Sequence, residues 1–478
     1  NGFGYARDPI LKPLENIETR DALIDWSDPE HPVEAQWPDA DVIIGNPPFL
    51  GAKLLRRGLG FSYVDELFRI YGGRLPGMSD LVAYWHEKAR AMIEAGRTER
   101  AGLLATQSIR GGRGRAVLDR VKASGDIFLA WSDEPWVLDG ANVHISFIGY
   151  DNGSQTERTL DGQPVQTINA NLTSGVDLTD ARRLSENRGI AFIGDQKSGP
   201  FDISNDLAQE MLDSPNPRGW SNRNVVRPWA NGQDLVQRSS SRWIVDFGVD
   251  MEREDAALYE APYEHVLSHV KPRRDDTEIG DKEWWLHWRP RGDMRDALKG
   301  TKRYVATPRV SRHRVFVWLP TETLLDSAAV AIAVEDDYTF GVLHSRVHEL
   351  WARGTGTQLR EVESGFRYTP TTTFETFPFP ESSDGQREAI SAAAKRLDEL
   401  RRGWLNPNEL AEDELKSRTL TNLYNEMPTW LRDIHGRLDG DVLEAYGWPT
   451  DISDDDLLAR LLELNLERSA AAGEAPGA

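Results

Sequence analysis

The stretch "DVIIGNPPFLGAK", Asp41 to Lys53, decides how the chain reads. Val42-Ile43-Ile44 is an unbroken β-branched run, so it is expected to form a strand covered on both faces, the habit of parallel sheets. The run stops at Gly45. Pro47 and Pro48 then fix φ and lack an N–H donor, and Asn46, which precedes a proline, is pushed to an extended conformation. The product is a stiff loop at the carboxyl end of a strand, the edge where open α/β sheets bind ligands. The carbonyls of Asn46 and Pro47 cannot join a helix and are left to accept hydrogen bonds. Asn46 adds a side-chain acceptor, and Phe49 adds a flat apolar face. Two acceptors converging beside an aromatic plate suit an exocyclic amino group on a flat ring. An ordinary Pro-rich turn is the bland alternative, and for a bare NPP it wins; an apolar strand leading straight into NPPF favours the functional reading.

Outward from that loop, residues 1–155 alternate apolar strands with helical stretches, the pattern of a parallel sheet. Strands are expected at Asn16–Ala22, Asp41–Gly45, Ala101–Thr106, Ile127–Trp131 and Val143–Tyr150, and helices at Ser62–Tyr71, Asp80–Ala95 and Gly114–Ser124. Asp139-Gly140 is a hairpin signal and places one antiparallel strand in an otherwise parallel sheet. The polar, turn-rich "DNGSQTERTLDGQP" marks a boundary. Residues 156–380 carry short apolar runs, many aromatics and many turns, and are expected to be a mixed α/β module. Residues 381–478 are acidic and helical: Ile390, Ala394, Leu397 and Leu400 are spaced as one helix face. The closing "SAAAGEAPGA" is expected to be disordered.

Composition narrows the chemistry. The 478 residues exceed one core and suggest two or three domains. No apolar run approaches the ~20 residues that span a bilayer. The chain has no cysteine, which excludes disulfides and thiolate metal sites. Histidines such as His86 and His344 stand alone, without ligand spacing, so they are expected to be packed and no metal is expected. No nuclease pattern of spaced Asp, Glu and Lys is evident.

A net charge of −21 looks wrong for a nucleic-acid partner, but distribution matters more than the sum. Trp284 to Pro320 holds nine Arg or Lys against two Asp, whereas Glu381 to Ala478 holds eleven against twenty-one Asp or Glu. The basic stripe interleaves with aromatics. Its candidates for phosphate and base contacts are Arg289, Arg291, Lys302, Arg303, Arg309, Arg312 and Arg314. "VSRHRVFVWL" alternates like a strand, which would put Arg312 and Arg314 on one face. Trp284, Trp285 and Trp288 are expected in the core.

"DVIIGNPPF" resembles the catalytic motif of amino-group DNA methyltransferases, the N6-adenine class in particular. The resemblance implies that the Asn46 side chain and the Pro47 carbonyl accept the two amine hydrogens, with Pro48 completing the motif and Phe49 stacking on the extruded base. "NIETRDALI" (Asn16 to Ile24) resembles the strand-and-acid motif that holds the adenine of S-adenosylmethionine, which implies that Asp21 and Ala22 bind the cofactor. "DLVAYWHEKA", "RAGLLATQSIRGG" and "ANVHISFIGYD" resemble the helix and last strands that follow. "RYVATPRVSRHRVFVWL" and "RYTPTTTFETFPFP" resemble the target-recognition region of large fused type IIL restriction–modification methyltransferases and related phage-defence methylases.

The fold this implies is α/β: part of a Rossmann-like methyltransferase sheet (1–155), a mixed α/β target-recognition domain (156–380) and a helical C-terminal region (381–478). The implied cofactor is S-adenosylmethionine. The implied partner is double-stranded DNA, with a nuclease domain or other defence subunits as further partners, no membrane, and a cytoplasmic location. The family carries a Gly-rich motif on an earlier strand, and only fifteen residues precede Asn16. "NGFGY" follows no strand, "IRGGRGR" comes too late in the order, and the chain starts with Asn; it is therefore expected to be the C-terminal portion of a longer protein. Two alternatives stay open: N4-cytosine methylation, and a DNA-binding specificity subunit that has lost catalysis. The absence of cysteine argues against C5-cytosine methylation, which needs a cysteine nucleophile.

Overall fold

The computed structural model describes residues 17–138, 141–275, 283–358, 365–407 and 412–473. The chain divides into two compact units, Asn1–Asp177 and Leu178–Ala478. In the first, β1 (Ile24–Asp25) and β2 (Val33–Glu34) form a short antiparallel ribbon. They are followed by β3 (Val42–Gly45), α1 (Leu55–Leu59), α2 (Phe61–Ile70), α3 (Leu81–Glu94), β4 (Arg100–Thr106), α4 (Gly112–Ser124), β5 (Asp126–Leu138), β6 (Ala141–Asp151), β7 (Arg158–Leu160) and β8 (Gln163–Val165). Six strands make one sheet in the order β3-β4-β6-β5-β7-β8. β3 runs parallel to β4, and β6 lies antiparallel between β4 and β5. β6 is the reversed strand that the hairpin signal implies, but it is not the sole one: β8, antiparallel to β7, is a second. Asp139 and Gly140 lie outside the described residues, but Leu138 pairs with Ala141 on either side of them.

The sheet is held by α3, which is buried along most of its length. Leu81, Val82, Ala83, Tyr84, Ala89 and Ile93 share a core with Ala101, Leu103 and Ala105 of β4. The helix even buries charge. The Glu87 carboxylate accepts paired hydrogen bonds from Arg90 (2.8 and 3.0 Å) and from Arg120 of α4 (3.0 and 3.2 Å), so it does not sit unpaired in the core. His86 is packed, with its ring stacked on Tyr150, and burial holds its pKa down to about 4.

Three expectations for this unit need correction. β3 is not covered on both faces: among the described residues β4 is its sole neighbour, and Val42 and Ile44 are 41% and 80% exposed while Ile43 packs on the core. Its alternation is that of a strand packed on one face among the described residues. Residues 17–22 are not a strand either. The Asp21 Oδ1 accepts the N–H groups of Leu23 (2.8 Å) and Ile24 (3.1 Å), a local turn that delays the strand to Ile24. And "DNGSQTERTLDGQP" continues the sheet. Asp161 and Gly162 both take positive φ (51° and 76°), as a two-residue hairpin requires, so β7 and β8 fold back on each other and β7 joins β5.

The second unit begins with β9 (Ala191–Ile193), β10 (Asp202–Ile203), α5 (Asn205–Asp213), β11 (Val226–Ala230), β12 (Trp243–Val245), α6 (Arg253–Ala256), α7 (Glu260–His269), α8 (Lys271–Asp275) and α9 (Gly292–Ala297). It continues with β13 (Arg303–Pro308), β14 (Val310–Ser311), β15 (Val317–Pro320), β16 (Leu324–Leu325), β17 (Ala329–Ile332), α10 (Asp337–His344), α11 (Arg346–Thr355), β18 (Thr357–Gln358) and β19 (Phe366–Arg367). It ends in α12 (Asp384–Leu405), α13 (Glu412–Lys416), α14 (Leu420–Glu426), α15 (Thr429–Tyr446) and α16 (Asp454–Ala471). Its strands form three small sheets, β10-β12-β11-β16, β15-β13-β17-β9 and β14-β19-β18.

α12 buries Ile390, Ala394 and Leu397 as its spacing foretells, but Arg401, not Leu400, completes the buried end. Its guanidinium donates to the Phe316 carbonyl (3.0 Å) and to His344 Nε2 (2.9 Å), so His344 is also packed. α16 carries on to Ala471, so the start of "SAAAGEAPGA" is helical instead of disordered; residues 474–478 lie outside the described residues. Trp284 is in the core and Trp285 packs against it, but Trp288 is 44% exposed. The backbone of Arg289, next in sequence, pairs with Gln196 as an isolated bridge.

One buried ionic network sits beneath the 287–295 segment. His287 bonds Asp195 through Nδ1 (2.8 Å) and the Val245 carbonyl through Nε2 (2.9 Å). Arg295 bridges Asp195 (2.7 Å) and Asp246 (2.7 and 3.0 Å). Burial alone would raise the Asp246 pKa, but Arg295, His287 and Arg227 outweigh it and hold the group below the usual carboxylate range. A carboxyl depressed in the folded state contributes stability above its unfolded pKa, near 3.9, and loses it as pH falls through the folded value. Urea midpoints of the tryptophan-rich second unit should therefore drop below about pH 4 in the parent. Asp246→Asn should be less stable at neutral pH by roughly 3 kcal/mol, the cost of breaking a buried pair, and should lose part of that acid slope.

Candidate functional site

The register of β3 fixes where the loop emerges. Val42 pairs with Arg100 and Gly45 with Leu103, while β4 runs on to Thr106. Asn46 therefore leaves at the carboxyl end of β3 beside the last turn of β4. Pro47 is buried and Phe49 half-buried, whereas Asn46 and Pro48 are exposed. Among the described residues neither the Asn46 side chain nor the Pro47 carbonyl has a hydrogen-bond partner. The loop thus carries two acceptors that nothing among the described residues engages, close in the chain to Phe49.

What holds the loop is a residue that motif reading passed over. Asp80 stands at the N-cap of α3, yet its side chain makes no bond to its own helix. Instead Oδ1 accepts the N–H of Ala52 (2.8 Å) and Oδ2 accepts the Ser108 hydroxyl (2.8 Å), which lies 2.6 Å from Thr106 Oγ1. The Leu81 N–H adds a bond to the Leu50 carbonyl (2.9 Å). One carboxylate thereby ties the segment after Phe49 to the start of α3 and the end of β4. An aspartate directly before an apolar helical run is the signal that could have found it, but that signal also marks an ordinary cap.

Upstream, Asp21 is half-buried. Besides the two backbone bonds, its Oδ1 takes the Tyr63 hydroxyl (3.2 Å), and Tyr63 packs near Trp26 (6.1 Å between centroids). Burial and the Asp21 charge push the Tyr63 pKa up, so its proton stays in place. Asp21 Oδ2 has no partner among the described residues. The Ala22 carbonyl is committed to Trp37 Nε1 (2.8 Å).

The basic stripe divides. Arg314 is buried: it donates to the carbonyls of Pro308 and Phe366 and to Thr307 Oγ1, and its guanidinium lies over Phe366 and Tyr368. Burial brings its pKa down to about 10. Residues 312–316 are not a strand, so Arg312 and Arg314 do not share a face: Arg312 is exposed and Arg314 faces inward. Arg303 stacks 3.7 Å from the Trp318 ring and pairs with Asp337 (3.0 Å). The side chains of the remaining five, Arg289, Arg291, Lys302, Arg309 and Arg312, pair with no carboxylate among the described residues, although the Lys302 backbone N–H donates to Glu335 (2.6 Å).

Arg309 opens on a cleft of about 780 Å³ lined also by Asn231, Gln233, Gln237, Val310 and Arg367. Burial, then Arg367 and Arg291, lower the Arg309 pKa, so three guanidinium groups lie within electrostatic reach of one another. Arg309 bonds the Ser327 carbonyl (3.2 Å) through one terminal nitrogen, while its buried Nε has no partner. Fixed cations beside several amide groups can read both charge and hydrogen-bond pattern. Arg367 and the three amides were missed because they lie far from the stripe in sequence and meet it only through the packing of β19 and the Asn231 turn.

Comparison with known proteins agrees with both halves. Residues 8–161 match the family model described as MmeI, DNA-methyltransferase domain, and residues 198–381 match MmeI, target recognition domain. This chain carries the methyltransferase and target-recognition domains of the MmeI family. The solved structure of the type IIL restriction-modification enzyme MmeI in complex with DNA has the same fold, with a TM-score of 0.70 and 21% identity, over 90% of this chain and 57% of that one. DNA methyltransferase A of Bacillus subtilis (strain 168) is 30% identical over 228 residues, which are 44% of this chain and 24% of that protein. The chain thus spans little more than half of MmeI and a quarter of the bacillar relative. Within the MmeI-type methyltransferase domain lie Asp21, the NPPF loop and Asp80; within the recognition domain lie the stripe and its cleft.

Asp80 should be felt in stability as well as in the loop. Asp80→Ala removes both anchors, and hydrogen bonds to a charged group contribute about 1.5–3 kcal/mol each. Asp80→Asn keeps an acceptor for Ala52 and should fall between parent and alanine variant. Hydrogen exchange at the Ala52 and Leu81 amides checks this: exchange should quicken in the order parent, Asn, Ala.

Proposed function

We propose that the chain is the catalytic and recognition portion of a site-specific DNA N6-adenine methyltransferase that uses S-adenosylmethionine and acts within a restriction–modification or phage-defence protein. The observation that carries the proposal is the pair of unpartnered acceptors, Asn46 Oδ1 and the Pro47 carbonyl, held beside Phe49 at the carboxyl end of β3. An adenine N6 lone pair is delocalised into the ring and is a poor nucleophile. The base must leave the stack to reach any pocket, at a cost of a few kcal/mol. Asn46 and Pro47 then accept both N6 hydrogens, which turns the lone pair out of the ring system and stabilises the positive charge that develops on nitrogen. Phe49 stacks on the base and offsets part of the unstacking. The rate gain comes from positioning and preorganised dipoles.

S-adenosylmethionine, when bound, supplies the electrophilic methyl group. The residues present fit it in one respect: Asp21 keeps Oδ2 free for a donor, next to the Trp26–Tyr63 aromatic pair, while Ala22 offers only its surface because its carbonyl is taken. For the DNA, we assign Arg309 and Arg367, with Gln233, to base edges, since Arg suits guanine O6/N7 and Gln suits adenine N6/N7, while the Asn231 and Gln237 amides are already bonded within the fold. Arg289, Arg291, Lys302 and Arg312 are assigned to phosphates. Arg303 and Arg314 serve the fold.

The test uses the full-length protein in cells without other methylases, with nucleoside mass spectrometry and single-molecule sequencing of their DNA. N6-methyladenine at one short motif is expected. N4-methylcytosine, or no methylated base, would support instead the cytosine enzyme or a binding subunit without catalysis. Asn46→Ala should lower methyl transfer ~10²–10³-fold with DNA affinity largely kept. Arg309→Ala or Arg367→Ala should cost about 1–3 kcal/mol at one position of the motif and relax the base there. Arg314→Ala should lower the thermal midpoint and leave base choice alone; a changed motif with unchanged stability would contradict its placement inside the fold.

A further inference from the structure

We infer that the segment directly after the catalytic loop, Lys53 to Phe61, is a second DNA-contacting surface that grips phosphates of the strand carrying the target base. This rests on the assignment of Asn46 to Phe49 as the amine site. Asp and Glu outnumber Lys and Arg 77 to 56 in the chain, yet residues 42–64 hold three basic residues, Lys53, Arg56 and Arg57, and no acid.

The local fold sorts these charges. A 3₁₀ turn at Ala52–Leu54 runs into α1 without a break, since Leu54 and Leu55 both have right-handed helical dihedrals. Leu55 is buried and Leu59 half-buried, so one side of this short helical run faces the core. Lys53 and Arg57 are four apart and set two positions off from that pair, which places both on the opposite, solvent side. Both are exposed, and neither pairs with a carboxylate among the described residues. Arg56, between them, is already used: it bonds Asp65 (2.7 Å) and lies over the Phe61 ring (5.1 Å). Leu54 and Phe61 remain 50% and 68% exposed.

An exposed run with two free cations and two uncovered apolar side chains has little reason to persist in an acidic protein unless a polyanion covers it. Its position selects the polyanion. Ala52 is bonded to Asp80, and Leu50 to the start of α3, so the run is fixed relative to Asn46 and Phe49. A base held at those residues brings its own backbone near this segment. Phosphate contacts carry no sequence information and make binding salt-dependent, so this surface adds affinity and grip, while base choice stays with the cleft at Arg309.

The experiment measures affinity of the full-length protein for a duplex bearing its methylation motif at several salt concentrations. Lys53→Ala and Arg57→Ala should each reduce the slope of log K against log salt by about 1, and the double variant by about 2, with the methylated motif unchanged. Arg57→Lys should keep the parent slope. Slopes identical to the parent in both single variants and the double would overturn the surface; so would a changed motif with an unchanged slope. Asn46→Ala, run in parallel, separates the two claims: it should keep the slope and lose methyl transfer. If it keeps methyl transfer, the amine-site assignment fails whatever the slopes show.

Discussion

The Asp80 carboxylate accepts one backbone N–H from the segment that follows NPPF and one hydroxyl from the turn that follows β4, and the placement of the NPPF loop depends on that pair of hydrogen bonds. A loop with two prolines is stiff within itself but needs an anchor to stay fixed relative to the sheet. The parallel register of β3 on β4 decides where the loop emerges; Asp80 decides where it goes next. Because the anchor lies after Phe49, the acceptors of Asn46 and Pro47 are left free. The helix N-terminus gives up its own side-chain cap for this, which α3 tolerates because it is held by burial along most of its length.

In the second unit, arginine does two different jobs. Arg314 and Arg401 are buried and donate to backbone carbonyls at Pro308, Phe366 and Phe316. Planar guanidinium groups suit this, with several fixed donors and flat faces that stack on aromatics. The arginines around the Arg309 cleft are the reverse case. They lie near one another, Arg309 pairs with no carboxylate among the described residues, and it keeps a buried nitrogen unpaired. Such a concentration of like charge is unfavourable in the free protein and is relieved by an anion.

Much of this was legible in the chain. The NPPF loop is written in proline geometry, which is local and survives any tertiary context. α3 and α12 announce themselves by their spacing, and β6 by its hairpin signal. Where reading failed, the missing information was non-local. The alternation in Val42–Ile44 could not say how many neighbours the strand would have; among the described residues it has one, β4. The spacing of Arg312 and Arg314 assumed a strand that the backbone does not form, because Arg314 is drawn inward by carbonyls from β13 and β19. Asp80 reads as an ordinary cap until its partners, 28 residues away on both sides, are seen. Arg367 stands 58 positions beyond Arg309, so no local pattern joins them.

The central claim is that Asn46 and Pro47 hold the amine of an extruded adenine. A crystal structure of the full-length protein, bound to a duplex carrying its methylation motif and to a non-reactive analogue of S-adenosylmethionine, tests it most directly. The account predicts an adenine out of the stack, its N6 within about 2.7–3.2 Å of both Asn46 Oδ1 and the Pro47 carbonyl, and its ring on Phe49. An extruded base whose amine is held by other residues, or a duplex left fully stacked over this loop, would contradict it.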